Sequence, residues 1–401
     1  MAEEKLKIEN LFERCCGCGA CAATCPVGAI EMTMGSDGCA YPAVDHEKCI
    51  GCHRCEGVCP ALNSCVSDLV EAAYWAHDNS EERLMACSSG GVFGALAKRV
   101  LFDGGAVCGA VFDEDFSGVR HVVVDRESDL APLLRSKYAQ SVIAPSVYKE
   151  IKKRISAGQL VLFSGTACQV AAVRGYLGKH ASSGLFVAVD VICHGVPSPG
   201  IWSKWLAFRQ RDLGGVVSNV SFRCKDKGWS NYSVSIETSC DDGARNEYRT
   251  PFVSDWYMKA FLSNASLRSS CFQCPSKRKC GSDITLGDFW GVENCHPEAL
   301  ALGEYGVSAV VCNTEKGRGL FESIANNLSF GDCEYGEILA GNPSLEIPSD
   351  PYAKRDEFLR DVLSDEPMAE VCSRWTFKDP LGRRIVNKAR RVAAVLIKRL
   401  K

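Results

Sequence analysis

No stretch of this chain approaches the roughly 18 consecutive apolar residues that a membrane span requires; the most apolar runs are Leu185–Ile192 and Val392–Ile397. Met1–Asn10 is charged and lacks the apolar centre of a secretory signal, so a soluble protein in a reducing cytoplasm is expected. Charge of one sign is also missing: the formal net charge of −3, with no long like-charge run before the last twenty residues, gives no reason to expect a nucleic-acid partner. There is no G-x-G-x-x-G at a strand-to-helix turn, which argues against direct use of a nicotinamide nucleotide.

Cysteine is what the chain has in excess. Its 401 residues include 24 cysteines, within an ordinary globular composition of 46% apolar residues that suffices for two or three domains. The spacing C-x2-C-x2-C-x3-C-P occurs twice, as Cys15, Cys18, Cys21, Cys25, Pro26 and as Cys49, Cys52, Cys55, Cys59, Pro60. This is the bacterial two-cluster ferredoxin pattern, in which three thiolates of one loop hold a [4Fe–4S] cluster and the fourth comes from the other motif. Cys59 is therefore expected to complete the set Cys15, Cys18 and Cys21, and Cys25 the set Cys49, Cys52 and Cys55. Zinc is the competing reading, but zinc sites usually take two ligands from each of two separated stretches rather than four crowded into eleven residues. Cys16 reads as a spare thiol.

From Leu69–Ala76, a strand-length apolar run, a second domain begins. Ser88-Ser89-Gly90-Gly91 stands before an apolar helix-forming stretch ending at Val100, a candidate helix N-terminus with amides suited to phosphate and equally an ordinary N-cap. Strands are expected at Ala106–Phe112, His121–Val124, Leu160–Phe163 and Leu185–Ile192, with helices at Val147–Ala157, from Ser164-Gly165-Thr166-Ala167-Cys168-Gln169 to Leu177, and at Pro199–Arg211. The alternation implies α/β packing, where ligands collect at the carboxyl ends of strands, so Cys168, Cys193 and His194 are candidates for a site. Arg135–Ser141, with two cations, two hydroxyls, a phenol and an amide, suits either an anionic ligand or a solvated loop; its residues alone favour the loop.

Alternating segments at Val216–Arg223, Tyr232–Thr238 and Glu247–Thr250 read as an antiparallel insertion. Cys271, Cys274 and Cys280, three cysteines in ten residues, suggest another metal, with Cys193 the first choice of fourth ligand and Cys295 and Cys168 behind it. A short strand at Asp283–Gly291 ends in an acid and an aromatic pair. A strand at Ser308–Cys312 and a helix near Arg318–Asn326 follow, and Gly341–Pro351, with three prolines, reads as a connector. Leu381, Ile385, Ala389, Val392, Leu396 and Leu400 fall at helical spacing among Arg383, Arg384, Lys388, Arg390, Arg391, Lys398 and Arg399. This basic amphipathic helix would either pack on its own domain or meet an anionic membrane or partner subunit.

An ordered series of motifs over about Leu69 to Asn313 resembles the coenzyme F420 hydrogenase/dehydrogenase beta-subunit family, here behind a two-cluster ferredoxin domain. The series is Ser-Ser-Gly-Gly-Val-Phe at Ser88, Ser-Lys-Tyr at Ser136, Ser-Gly-Thr-x-Cys-Gln at Ser164, Asp-x-x-Cys-His-Gly at Asp190, Phe-Arg at Phe222, the cysteine triplet from Cys271, and Asp-Ile-Thr-Leu-Gly-Asp-Phe-Trp-Gly at Asp283. The resemblance implies an α+β protein in three parts: a ferredoxin domain (1–66), an α/β flavoprotein domain with an antiparallel insertion (67–340) and a basic helical tail (341–401). It further implies FAD held by Ser89, Gly90, Gly91, Ser136, Lys137, Tyr138, Thr166 and Gln169, and a third [4Fe–4S] cluster on Cys193, Cys271, Cys274 and Cys280. Ala167 departs from the family, which often has proline after Gly-Thr, a stiffer turn.

The expected function is an oxidoreductase that moves electrons between FAD and iron–sulfur clusters in an anaerobic setting, with coenzyme F420 as the hydride carrier and a ferredoxin or other redox protein as partner. A ferredoxin-dependent flavoenzyme acting on an organic substrate and a non-catalytic electron-transfer subunit are the alternatives. No catalytic side chain is nominated; Lys137 and His194 are candidates to donate a proton or tune the flavin, with surface charge and a structural imidazole as equally ordinary explanations.

Overall fold

A computed structural model describes residues 6–63 and 69–377. Cys65, the boundary proposed near residue 66 and the basic helix expected from Leu381 lie outside the described residues. In chain order the strands are β1 (Ile30–Met34), β2 (Ala40–Val44), β3 (Ala72–Asp78), β4 (Ala106–Phe112), β5 (Val119–Val124), β6 (Ser141–Val142), β7 (Val161–Thr166), β8 (Phe186–Val191), β9 (Val216–Cys224), β10 (Ser233–Ser239), β11 (Arg245–Pro251), β12 (Ile284–Asp288), β13 (Ser308–Cys312) and β14 (Leu328–Asp332). They form a β1–β2 hairpin, an antiparallel sheet β11-β10-β9, and a nine-stranded sheet ordered β14-β3-β13-β12-β8-β7-β4-β5-β6.

The centre of the large sheet, β12-β8-β7-β4, is parallel, and antiparallel strands flank it on both sides. Alternation along the central strands sorts their side chains onto two faces. Val107, Leu162, Val187 and Val189 pack against the helix Val92–Phe102, whereas Cys108, Val161, Phe163 and Ala188 pack against the helices Pro145–Ser156 and Ala167–Leu177. Burial of both faces explains why these strands read as nearly continuous apolar runs. The strands expected at Ala106–Phe112 and Ser308–Cys312 have those bounds, while the run beginning at Leu69 enters the sheet only at Ala72 and continues to Asp78.

The residues on either side of the hairpin carry the two cysteine motifs, each with a short helix, Ala20–Thr24 and Arg54–Gly57. Leu6, Ile8, Leu11, Ile30 and Ala61 form a small core with buried Cys21 and Cys55 and half-buried Cys15, Cys25, Cys49 and Cys59. This module is packed onto the large domain: Ala20 and Ala23 join the same apolar cluster as Tyr148, Ile151 and Val170. The three-stranded sheet is covered by the helices Pro199–Leu213 and Trp256–Leu262 and by Arg355–Leu363 and Met368–Arg374 from beyond residue 341. Phe358, Leu359, Val362 and Val371 are buried there, so the described part of 341–401 completes a core.

Candidate functional site

A cavity of about 1780 Å³ opens at the carboxyl ends of the central parallel strands. Gly165 and Thr166 of β7, Val191 of β8 and Asp288 of β12 line it, as do His194 and the segment Leu133–Ala139. Of the eight residues expected around a flavin, Ser89, Gly91, Ser136, Lys137, Tyr138, Thr166 and Gln169 line this cavity, and Gly90 does not. A Cβ on Gly90 would lie 2.3 Å from the Ala76 carbonyl oxygen and 2.7 Å from the Ser308 nitrogen; this glycine lets the turn pack against β3 and β13. Gly91 has φ +83° and is the N-cap of the helix Val92–Phe102, whose first residues Val92, Phe93 and Gly94 line the cavity.

The Arg135–Ser141 stretch, which residue types alone assign to a solvated loop, forms a wall of the cavity instead. It is tied down at several points. The Ser136 amide donates to Ser88 Oγ at 2.7 Å, and the Tyr257 hydroxyl donates to the Tyr138 carbonyl at 2.7 Å. Lys137 donates through Nζ to the carbonyls of Pro132, Leu134 and Arg135 at 2.6, 2.8 and 3.2 Å. Burial and the neighbouring Arg135 push the Lys137 ammonium down to about 7, while its three carbonyl acceptors favour the cation.

Arg223 and Asp288 form a buried bidentate pair, with Nη1 to Oδ2 at 2.8 Å and Nη2 to Oδ1 at 3.2 Å. The same guanidinium donates to the Tyr138 hydroxyl at 3.1 Å and the Ser88 carbonyl at 2.9 Å, so it joins three motifs that are far apart in the chain. The Trp229 indole donates to Asp288 at 2.8 Å and stacks on Trp290, with centroids 4.8 Å apart and 8° between planes.

Two cavity-lining groups keep a buried nitrogen without a hydrogen-bond partner among the described residues: His121 Nδ1 and Arg223 Nε. The His121 Nε2–H donates to the Ser164 carbonyl at 3.0 Å, which leaves Nδ1 as an acceptor on a neutral ring. Burial pushes that imidazole down to about 4. A buried acceptor, a buried donor, a helix N-terminus and a largely apolar surround suit a large polar heteroaromatic ligand bearing phosphate.

Gln169 is occupied structurally. The Thr166 amide donates to its Oε1 at 3.0 Å in a capping box, and its Nε2 reaches Ser141 Oγ at 2.9 Å. Ala167 is the first residue of that helix, the position at which proline is most at home. The capping box therefore supplies the stop that a proline would have supplied.

A second, smaller cavity lies beside the first and shares Thr166, Cys193, His194, Gly195 and Val196 with it. Five cysteines line it: Cys193, Cys271 and Cys274 of the expected set, together with Cys168 and, from the first ferredoxin motif, Cys16. Burial pushes the Cys193 thiol up to about 12, against the pull of the Lys277 ammonium, and raises Cys271 and Cys274. Cys280 is not among the lining residues. It is fully buried in the apolar cluster of Val170, Val173 and Phe186. Cys295, also weighed as a ligand, sits in another cluster with Val292 and Phe289.

In the ferredoxin module the Cys21 thiol feels the charges of Cys15, Cys59 and Cys55, and the Cys59 thiol that of Cys15, so the last cysteine of the second motif stands near members of the first. Burial pushes the Cys21 thiol up to about 12. The Ala29 amide donates to Cys25 Sγ at 3.2 Å and the Val196 amide to Cys271 Sγ at 3.4 Å, contacts of the kind that tune iron–sulfur potentials.

The module is held to the large domain by Arg268 and Tyr148, which patterning did not single out, and by Gln140 of the Arg135–Ser141 stretch. Arg268, fully buried, donates to the carbonyls of Cys15 and Ala40 at 2.6 and 2.7 Å and to Gln140 Oε1 at 3.2 Å. Gln140 Nε2 donates to the Cys16 carbonyl at 2.9 Å and the Tyr148 hydroxyl to the Cys18 carbonyl at 2.8 Å.

No helix among the described residues is long and apolar enough to cross a membrane. No curated protein matches the chain. A solved structure of the F420-reducing [NiFe] hydrogenase complex from Methanosarcina barkeri resembles it at 15% identity over 77% of this chain and 90% of that one, with a TM-score of 0.41. Residues 14–63 match the 4Fe-4S dicluster domain, and residues 158–334 match the family described as the C terminus of the coenzyme F420 hydrogenase/dehydrogenase beta subunit. The chain is thus an iron–sulfur protein in which a region matching the 4Fe-4S dicluster domain precedes a region similar to the C terminus of the coenzyme F420 hydrogenase/dehydrogenase beta subunit.

Proposed function

We propose that this chain is an oxidoreductase in which FAD occupies the large cavity, a third [4Fe–4S] cluster occupies the small one, and electrons pass between them and the paired clusters of the ferredoxin module. The observation that carries the reading is the order of the three sites. Residues of the small cavity come from both sides: Arg14, Cys16, Pro60 and Ala61 from the ferredoxin module, and Thr166 and Cys193–Val196 from the wall of the large cavity. A flavin accepts a hydride as two electrons and a cubane cluster exchanges one, so this order suits conversion between pair and single-electron transfer.

Within this proposal Ser89, Gly91, Ser136, Lys137, Tyr138 and Thr166 contact the flavin directly, while Gly90 and Gln169 hold the turns that present them. The amides at the start of Val92–Phe102 take the phosphates. Arg223 orients Tyr138 and Ser88 from the buried side, and Asp288 keeps that guanidinium in register. Lys137, whose ammonium loses its proton near neutrality, is the group able to hold or release a proton at the cavity wall. Cys193, Cys271, Cys274 and Cys168 hold the third cluster, and Cys280 serves the core.

The size of the large cavity favours a catalytic role over that of a passive carrier. Single-ligand pockets run from about 300 to 1000 Å³, and a volume of about 1780 Å³ leaves room for a second molecule beside the flavin. We propose a hydride carrier of the coenzyme F420 type as that molecule, with a ferredoxin or a partner subunit at the exposed face of the dicluster module. Anaerobic extraction is expected to release FAD and about twelve iron atoms, four per cluster. Absence of flavin would remove the enzyme reading, and reduction by ferredoxin but not by reduced deazaflavin in stopped flow would redirect the substrate to an organic acceptor.

A further inference from the structure

We infer that Cys295, His296, Cys333 and Glu337 form a binding site for one divalent transition-metal ion, zinc by the chemistry of its ligands, at the rim of the large cavity. One ligand atom each from Cys295, His296 and Glu337 lies within 4.8 Å of the others. Ligand atoms around a tetrahedral zinc stand roughly 3.4–3.8 Å apart, so a small inward shift closes the set. Cys333, outside that group of three, is the neighbouring thiol proposed as the fourth ligand. It packs on the same apolar cluster as Cys295, in the turn between β14 and the helix Tyr335–Gly341, and its thiol feels the charge of both Cys295 and Glu337.

The sequence pattern agrees with the geometry. The ligands come from two separated stretches, as in structural zinc sites and unlike the crowded cluster motifs at the N-terminus; Cys333 and Glu337 have the usual spacing, while Cys295 and His296 are adjacent. Zinc accepts this mixed sulfur, nitrogen and oxygen set, whereas magnesium and calcium prefer oxygen alone.

The hydrogen bonding of His296 points the same way. Its Nε2 lies 3.0 Å from Glu337 Oε2, and its Nδ1 lies 3.1 Å from Glu298 Oε1. With a metal at Nε2 the neutral ring suffices, and Nδ1–H to Glu298 becomes the outer hydrogen bond that orients a metal-bound histidine. The ion would clip the segment after β12 to the helix Tyr335–Gly341. That helix packs tightly on the aromatic wall: a Cβ on Gly341 would collide with the Trp290 carbonyl. The role is structural, holding Trp290 in place against Trp229.

The test is metal analysis of the anaerobically purified holoprotein from zinc-replete cells. About one zinc per chain is expected beside the iron, and His296→Gln and Cys333→Ser should each lower zinc at least about fivefold with iron unchanged, as loss of one of four ligands requires. Wild-type protein retaining less than about a fifth of an equivalent, or zinc undiminished in both variants, overturns the inference. If the variants lose iron as well, zinc-edge X-ray absorption of the wild type decides. A mixed shell with sulfur near 2.3 Å and nitrogen or oxygen at about 2.0–2.1 Å supports the site; an all-sulfur shell, the mark of zinc in cluster cysteines, overturns it.

Discussion

Arg268 donates through Nε to the carbonyl oxygen of Cys15 at 2.6 Å, so one wholly buried guanidinium grips the first cysteine of the dicluster domain from 253 residues away. The same group also serves Ala40 and Gln140 and lies over the Tyr41 ring, 4.4 Å from its centroid. Arg268→Met leaves three buried acceptors unpaired and should cost about 3 kcal/mol, at roughly 1–3 kcal/mol per abandoned group with partial relaxation. Anaerobic denaturation of the iron-loaded protein measures this. A change below about 0.5 kcal/mol, the range of neutral surface substitutions, would contradict the clamp.

Gly17 and Gly51 occupy matching places in the two cysteine loops and have nearly the same backbone, φ +67° and +63°. Alanine at either costs about 1 kcal/mol for the left-handed conformation. At Gly17 the new methyl would also sit 2.6 Å from Arg268 Nη1, whereas at Gly51 nothing lies within 4 Å. Gly17→Ala is therefore expected to be the more destabilising by about 1–2 kcal/mol, the usual cost of overpacking. Equal melting shifts for the two would show that the Arg268 contact is easily relieved.

Burial pushes the Lys137 ammonium down to about 7 in the folded protein, and unfolding returns it to its ordinary value. Between those values the unfolded chain binds more protons, so this residue makes stability rise with pH across the window. Lys137→Met should flatten that rise. Denaturation at pH 7 and pH 9 on both proteins checks it; parallel curves would assign the ammonium an ordinary titration.

Cys168→Ala is expected to lower bound iron from about twelve atoms to about eight, whereas Cys280→Ala should keep all twelve. The second change removes a buried thiol from an apolar cluster and should cost only about 1 kcal/mol as a small cavity. Iron determination with electron paramagnetic resonance after reduction separates the cases. Loss of iron from the Cys280 variant alone would restore the original ligand set.

The ferredoxin motifs and the central parallel strands are legible in the sequence because each rests on a local signal: cysteine spacing in one case, apolar runs buried on both faces in the other. The strand β14 is not, since it is only five residues long with Gly331 as its fourth, and its place at the sheet edge depends on pairing with β3, more than 200 residues earlier. That Cys168 and not Cys280 lines the small cavity with Cys193 could not be read from spacing, because it depends on the pairing of β7 with β8 and on the start of the helix after β7. Arg268 and Tyr148 left no pattern at all, and Gln140 stood out only as the amide of the Arg135–Ser141 stretch. Each is a single polar residue whose partners are backbone carbonyls of a distant domain, and carbonyls have no sequence identity.

The four residues from Cys193 to Val196 belong to the walls of both cavities. Two chambers with a common partition cannot be filled independently. If a molecule entering one chamber shifts this partition, the affinity or midpoint potential measured in the other must change, and linkage makes the two binding effects equal in size. Redox titration of the cysteine-lined chamber, with and without a ligand in the large one, would therefore report occupancy at a distance, and a Val196 variant would alter that crosstalk while leaving every cysteine in place.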